Sequence, residues 1–495
     1  MIQITNSLTR EKEELVPLEA GKIRMYVCGP TVYNFIHIGN ARPLVFFDVV
    51  ARYLKFSGFQ VTRIMNYTDV DDKIIQKAKE EGVSSDVITQ KYILEFETDM
   101  KLLKVEAPDV QPKVTDHIPE IISIIEKLLK NGLAYVADNG EVFFSVRSFP
   151  GYGKLSGKRL DDLLVGARVA PDEKKRDPLD FSLWKPRKET SEPSWESPWG
   201  PGRPGWHIEC SAMSVKYLGD TFDIHGGGMD LIHPHHENEI AQSEGASKKV
   251  FAKYWMHNNM LTVQSEKMSK SLGNIWLVRE FINRFTAEVL KFFLLSGHYR
   301  STLDFSERQV KEHQAAIHRI YTTLEKVSQL ETLEIKGSSN PTIEEQNLSK
   351  AGTDFSQQWR AAMDDDFNTA KLFGLIFDYI RAVNAYIDKK GFKPSPHTHA
   401  LMQRFTSELS QVSQVLNLFG ENPTAFLKEL RLLFLKERGL TEKEILDQIE
   451  QRIEARKSKN FQLADDIRST LSAQGIELRD KVTGTDWDVS FTLGS

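Results

Sequence analysis

Near the N-terminus, one helix-like stretch between two strand-like runs constrains the fold more than any other feature. Residues 22–28, KIRMYVC, alternate in the manner of a strand. The loop GPTVYNFIHIGN follows. From Ala41 to Gly58, Leu44, Phe47, Tyr53 and Leu54 then recur at helical spacing, with Val45, Val49 and Val50 on neighbouring faces. Pro43 suits the first turn of such a helix and Gly58 its end. Residues 60–67, QVTRIMNY, form a second strand. The result is a β-α-β unit, and the Gly-containing turn at the mouth of its helix favours phosphate. Such units are common, so this one names a fold class, α/β, and no function.

A chain of 495 residues is long enough for several domains. Residues 115–195 read as an insertion, with a helix near 119–131 and a short strand near 141–146. Residues 186–206, dense in Pro, Gly, Ser and Trp, read as an irregular return loop. Residues 219–260 resume α/β character, and helix dominates from about 276. MDDDFNT supplies a helix start, after which Leu372, Ile376, Ile380, Val383 and Ile387 share a face. Thr441 and Glu444 form a capping box ahead of Ile445, Ile449 and Ile453. The first residues are polar, and no apolar run reaches the roughly 20 residues that span a bilayer. A cytoplasmic protein without a membrane partner is expected. The net charge of −5 does not mark a nucleic-acid binder, so any RNA contact rests on local basic patches.

Two cysteines, Cys28 and Cys210, are too few for a disulfide framework. Their neighbours distinguish them from stray buried thiols. Cys210 lies in GWHIECSAM, and HPHHENE follows. If HHENE is helical, His235 and Glu239 are four apart and share a face. With thiolates from the ends of two strands, the sum is Cys₂-His-Glu, a donor set zinc accepts. His236 is the alternative ligand by residue type, but His235 has the i,i+4 partner.

HIGN at 37–40 occupies the first β-α turn, and KMSKS stands at 267–271. A His at a helix mouth can reach phosphate oxygens. A loop bearing Lys267 and Lys270 can neutralise charge developing on a leaving pyrophosphate. Together they fit one nucleotide site.

HIGN with KMSKS resembles the paired HIGH and KMSKS signatures of the class I aminoacyl-tRNA synthetases. YVCGPTVYNFIHIGNAR, NYTDVDDKII, GWHIECSAM, FDIHGGGMDLIHPHHENEIAQSE, KMSKSLGN and MDDDFNTA resemble the cysteine-specific family within that class. The resemblance runs from about Lys22 to the end, where KSKNFQLADDIRSTLSAQGIELRD resembles an anticodon-binding module.

That resemblance implies an α/β, Rossmann-type parallel-sheet catalytic domain with an inserted connective domain, then a helical bundle and a small C-terminal anticodon-binding domain. The implied boundaries are 1–115 and 201–260 for the catalytic halves and 116–200 for the insertion. They continue with 261–325 for the KMSKS-loop region, 326–435 for the bundle and 436–495 for the anticodon module. It implies ATP-dependent activation of L-cysteine to cysteinyl-adenylate and transfer to the terminal adenosine of tRNA(Cys). One Zn2+ held by Cys28, Cys210, His235 and Glu239 is implied, with Mg2+ on ATP. His37 and Lys270 are the implied catalytic residues, and Gly39, Asn40, Lys267, Met268, Ser269 and Lys270 the ATP contacts. Gly29, Thr68, Trp206, His225 and Asp230 would surround cysteine, although Trp206 also suits a core. Arg456, Asp465, Asp480 and Trp487 would read the anticodon of tRNA. Around them Arg452, Lys457, Lys459, Arg468, Arg479 and Lys481 suit phosphate contact or, alternatively, a solvated face laced with ion pairs. A monomer is expected. One departure stands in HIGN, where Asn40 replaces the last His and cannot carry a proton at neutral pH. The nearest rival, the cysteine ligase of mycothiol synthesis, would lack the anticodon module.

Overall fold

The computed structural model describes residues 1–160, 162, 174–263, 266–267, 274–333, 340–481 and 484–491. Contacts divide the chain into two compact units. The first is Met1–Leu261 with Tyr299–Leu303 and Asp364–Phe367; the second is Thr262–His298, Asp304–Met363 and Asn368–Ser495.

The first unit opens with an antiparallel hairpin, β1 (Gln3–Asn6) and β2 (Glu11–Glu14). Then come β3 (Lys22–Val27), helix α1 (Ile38–Phe56) and β4 (Gln60–Met65), the β-α-β unit of the sequence. The helix begins three residues earlier than its apolar face suggests, because His37 caps it. The His37 Nδ1 accepts the Asn40 N–H at 3.2 Å, and the Asn40 side-chain oxygen accepts the His37 N–H at 3.2 Å. This reciprocal cap satisfies two otherwise orphaned donors. Pro43 therefore falls in the second turn, where it withholds the N–H that the Gly39 carbonyl would otherwise receive.

Helices α2 (Asp72–Glu81), α3 (Ser85–Leu102) and α4 (Ile118–Lys130) lead to the insertion. Its strands β5 (Ala134–Val136), β6 (Val142–Phe144), β7 (Phe181–Pro186) and β8 (Gly202–Pro204) form an antiparallel sheet in that order. The expected loop 186–206 is thus shorter than its composition suggests, with Gly202–Pro204 pairing on β7 and Trp206 opening helix α5 (Trp206–Leu218). Strand β9 (Phe222–Gly228), helix α6 (Glu237–Ser247) and β10 (Ala252–Asn258) complete a four-stranded parallel sheet of order β10-β9-β3-β4. Ile64, Ile208, Phe222, Phe251 and Trp255, all nearly inaccessible, lie in its core.

The second unit begins at Thr262, within β11 (Leu261–Val263), which turns back on β12 (Glu266–Lys267). Helices α7 (Val278–Phe285) and α8 (Ala287–Leu295), strand β13 (Leu303–Phe305) and the long helices α9 (Glu307–Glu331), α10 (Ile343–Asp364), α11 (Thr369–Ile387), α12 (Pro396–Leu416) and α13 (Pro423–Glu437) follow. Asn368, rather than an Asp or Thr of MDDDFNT, caps α11 by accepting the Lys371 N–H at 2.9 Å. The chain continues through α14 (Glu442–Lys457), with the expected Thr441–Glu444 capping box, and α15 (Phe461–Ala473). A hairpin of β14 (Ile476–Lys481) and β15 (Gly484–Val489) follows. Among the described residues no helix is long and apolar enough to cross a membrane.

Candidate active site

The order β10-β9-β3-β4 changes direction between β9 and β3. From β3 the chain crosses by α1 to β4 on one side, and from β9 it crosses by α6 to β10 on the other. The carboxyl ends of β3 and β9 therefore open a crevice at a topological switch point, where ligands of open α/β sheets bind. Cys28 directly follows β3, and Gly226–Gly228 end β9.

Cys28, Cys210, His235 and Glu239 converge there, with their donor atoms within 4.8 Å of one another. Cys210 does not come from a strand end as expected; it lies in the second turn of α5. HHENE is helical only from Glu237. His235 and His236 belong to a wide turn, Ile232–His236, that runs into α6. The i,i+4 relation still holds, with His235 Nε2 at 3.0 Å from Glu239 Oε1. A tetrahedral zinc with Zn–S bonds of about 2.3 Å has its sulfurs about 3.8 Å apart, close to the 3.9 Å between the Sγ atoms of Cys28 and Cys210. The cluster fits zinc.

A second group, Cys28, His225, His236 and Glu239, meets the same distance criterion. It shares two members with the first. His236 Nε2 lies 3.2 Å from Cys28 Sγ while its Nδ1 is 2.8 Å from His257 Nε2, and His257 Nδ1 lies 2.8 Å from Ser7 Oγ. His225 Nε2 lies 3.0 Å from Glu239 Oε2, and its ring stacks on Trp255 at 4.4 Å. In both cases the imidazole braces a member of the first group from outside, which is how ligating side chains are oriented.

The charges explain why this cluster suits a cation. The hydrogen bond with Cys28 pulls the Cys210 thiol down to about 6, while burial and Cys210 push the Cys28 thiol up. Burial opposes ionisation of Glu239, yet His225 and His235 hold it at about 2. Burial likewise lowers His235, but Glu239 and Cys210 overcome it and raise it to about 10. Protons thus supply the positive charge at the centre of the group. A bound cation of suitable softness would take their place.

The remaining pocket residues divide. Gly29 is required by close approach, since a Cβ there would lie 1.7 Å from the Asn66 carbonyl oxygen. Thr68 is buried beside it. Trp206 is no core aromatic: it is 37% exposed and stacks on His235 at 4.3 Å. His225 is fully buried against Glu239, so it braces that carboxylate rather than facing an open pocket. Asp230 is exposed on the turn after β9. Burial lowers the pKa of His37, and the Asp230 carboxylate pulls the other way. With Nδ1 accepting from Asn40, the neutral ring carries its proton on Nε2. Asn66 escaped the sequence reading. Wholly buried, it accepts the Gly29 N–H at 3.0 Å and donates to Thr68 Oγ1 at 3.3 Å. An Asn at the end of a strand, where Asn is disfavoured, was the available signal.

Lys267 ends β12, and Met268, Ser269 and Lys270 lie outside the described residues. In the C-terminal module, Arg452 is buried and grips Asp480 with two bonds of 2.8 and 2.9 Å, and Arg456 joins it at 3.0 Å. Lys457 pairs with Glu454 and Arg479 with Asp488. Much of the basic cluster is therefore an ion-pair lattice, while Lys459, Asp465 and Arg468 are exposed. Trp487 is only 7% exposed, with Arg431 over its ring at 5.3 Å, which removes it as a free stacking platform. Phe461, 61% exposed at the start of α15, is the aromatic side chain on offer there. The sequence signal was an aromatic directly after the Asn460 cap, on a helix edge that needs none.

Residues 14–315 match the family described as tRNA synthetases class I (C) catalytic domain, and residues 358–420 match the DALR domain. The chain is 49% identical over 486 residues to the cysteine–tRNA ligase of Syntrophotalea carbinolica, covering 98% of this chain and 99% of that one. It is 48% identical over 488 residues to that of Geobacter metallireducens, covering 99% of each. Among solved structures it resembles Mycobacterium tuberculosis methionyl-tRNA synthetase in complex with methionyl-adenylate. The TM-score is 0.60 at 13% identity, over 80% of this chain and 90% of that one. At that identity the likeness concerns the fold.

Proposed function

The chain belongs to the cysteine–tRNA ligase family of class I tRNA synthetases, and from that premise we propose how its residues activate L-cysteine with ATP and transfer it to the terminal adenosine of tRNA(Cys). The observation that carries the reading is the convergence of Cys28, Cys210, His235 and Glu239 at the switch point beside the His37 cap. These four residues hold one zinc. When bound, zinc offers a soft Lewis-acidic seat that favours a substrate thiolate over the hard, poorly acidic hydroxyl of serine.

The remaining work is positioning and charge stabilisation. Trp206, Gly29, Thr68 and Asp230 line the cysteine site, and Asn66 fixes Gly29 relative to Thr68. The cysteine carboxylate attacks the α-phosphate of ATP, forming cysteinyl-adenylate and releasing pyrophosphate, with Mg2+ on the phosphates. Neutral His37 donates from Nε2 to a phosphate oxygen. Asn40 serves by holding that tautomer, so its lack of a titratable proton does no harm. Gly39 lets the phosphates approach the helix end. Lys267 and Lys270, with the backbone of Met268 and Ser269, stabilise charge on the departing pyrophosphate. A ribose hydroxyl of the terminal adenosine then takes the cysteinyl group and AMP leaves. Phe461 stacks on an anticodon base, and Arg456, Asp465 and Asp480 supply polar contacts. The enzyme acts as a monomer in the cytoplasm. Pyrophosphate exchange with ATP, run in parallel against all amino acids, tests the reading. Exchange with cysteine and little with serine is expected; comparable kcat/KM for both would remove the selecting role of the metal.

A further inference from the structure

Glu209 stands one residue before Cys210 in the first turn of α5, and it takes no part in the cluster that Cys210 joins. It is 1% exposed, and its Oε2 has no hydrogen-bond partner among the described residues. The groups that face its carboxyl are the Thr68 hydroxyl, which donates to it, and Cys210, Asp71 and Asp69, all of them acids. Two of those acids are committed elsewhere. Asp69 accepts the Thr115 N–H at 3.1 Å and the Thr115 hydroxyl at 2.6 Å, and Asp71 accepts the Lys73 N–H at 2.9 Å as the cap of α2. Lys185 and Arg203, on β7 and β8, pair with Asp72. A buried carboxyl among acids, with one oxygen unpartnered, is costly unless something positive comes to it.

Thr68 passes that charge on. Its backbone is fixed on both sides, since its N–H donates to the Pro30 carbonyl at 3.2 Å and its carbonyl accepts the Val32 N–H at 3.2 Å. Its hydroxyl oxygen accepts from Asn66 Nδ2 at 3.3 Å. The direction of that amide is set, because Asn66 Oδ1 accepts the Gly29 N–H at 3.0 Å. A hydroxyl has one hydrogen and two lone pairs. The hydrogen goes to Glu209 and one lone pair to Asn66, so the second lone pair is left to accept. Asn66 Oδ1 also lies 3.7 Å from Cys210 Sγ, which puts the Thr68 hydroxyl one side chain away from the thiol pair.

We propose that Glu209 is a positioning residue for the α-ammonium of L-cysteine: acting through Thr68, it makes the hydroxyl an acceptor and sets a negative charge behind it, so that the site selects a thiol that carries an amino group. The inference deepens the reading proposed above and rests on it, because it takes the substrate sulfur to sit at the cluster of Cys28 and Cys210. In cysteine the ammonium lies close to the sulfur, so a thiolate held there brings the ammonium toward Thr68. A hydrogen bond to a charged group is stronger than a neutral one, and a site built to bond a substrate N–H rejects the analogue that lacks it.

The test is Glu209→Gln in the full chain, read by cysteine-dependent pyrophosphate exchange with ATP and by zinc content. The probe is mercaptopropionate, which keeps the thiol and carboxylate of cysteine and lacks the amino group, measured as an inhibitor of that exchange. KM for cysteine should rise by about 10- to 100-fold, while the inhibition constant of mercaptopropionate stays within about threefold and zinc content is unchanged. A residue that merely supports the fold would move both constants together. Glu209→Asp, which keeps the carboxylate on a shorter side chain, should raise KM for cysteine by a smaller factor with the same selectivity, and it carries the test if Glu209→Gln fails to fold. An unchanged KM for cysteine, equal shifts of both constants, or loss of zinc from a folded variant overturns the proposal. Exchange by the unaltered protein is measured first: its absence refutes the functional reading itself, whereas the variant results bear on Glu209 alone.

Discussion

His235 and His236 are adjacent, equally buried and of one residue type, so no sequence argument beyond the i,i+4 relation could choose between them. The structure separates them by what lies behind each ring. His235 has Trp206 stacked on its face and Glu239 at its Nε2; His236 is tied at Nδ1 to His257. His235→Ala should therefore lose most bound zinc, and His236→Ala should keep most of it while binding less tightly, roughly 10- to 100-fold as for other outer partners of ligands. Metal analysis after gel filtration distinguishes the two, and the reverse order would hand the site to the second group. The two thiols were legible because the chain has only two. Asn66 and the bracing role of His225 were not, because a side chain's partners across a sheet leave no mark on spacing.

Elements were read well where a single helix face or cap defined them, and less well where a distant strand did. The Thr441–Glu444 box is local, and it forms as expected. The Pro- and Trp-rich return loop lost Gly202–Pro204 to β8, since pairing with β7 outweighs composition. In the first turn of α8, Glu288 shows what packing adds. Burial raises its carboxyl to about 7, although the Tyr321 hydroxyl at 2.7 Å and the Phe419 N–H at 3.1 Å favour the ionised form. The folded state thus binds a proton that the unfolded chain releases near the ordinary Glu value. Stability is full below about 4.5 and falls as pH rises toward 7, by on the order of 3 kcal/mol at most. Urea midpoints should fall across that range for the unaltered protein and stay nearly flat for Glu288→Gln; matching slopes would exclude Glu288 as the source. In the C-terminal module, exposure sets a second expectation. Phe461→Ala should raise KM for tRNA by about 10-fold, the value of one lost base stack of about 1–3 kcal/mol, without lowering the melting temperature. Trp487→Ala should do the opposite, because its ring is packed beneath Arg431.

For the whole molecule, the informative cut is near Leu440. The crevice donors and HIGN belong to the first unit, and α14, α15 and the β14–β15 hairpin belong to the second. A chain ended there should keep cysteine-dependent exchange and charge tRNA poorly, mainly through raised KM. Salt should weaken tRNA binding less steeply than in the full chain, since fewer phosphates are neutralised. The segment after the hairpin also covers Phe434, whose ring meets Phe491 at 5.3 Å, so circular dichroism must accompany the assay. A folded, truncated protein that charges as well as the intact one would remove the anticodon role and favour the mycothiol-type rival. By itself the sequence determined what is local or chemically exclusive: the β-α-β unit, the helix caps, and the two cysteines that converge with His235 and Glu239 in one cluster. Tertiary structure alone decided that Cys210 projects from a helix, that Trp487 is buried where Phe461 is exposed, and that MDDDF is a turn held inside the first unit. Those outcomes depend on contacts between residues hundreds of positions apart, 361 for Thr5 and Asp366, and burial at that range follows from the folded chain's geometry and not from the pattern of its neighbours.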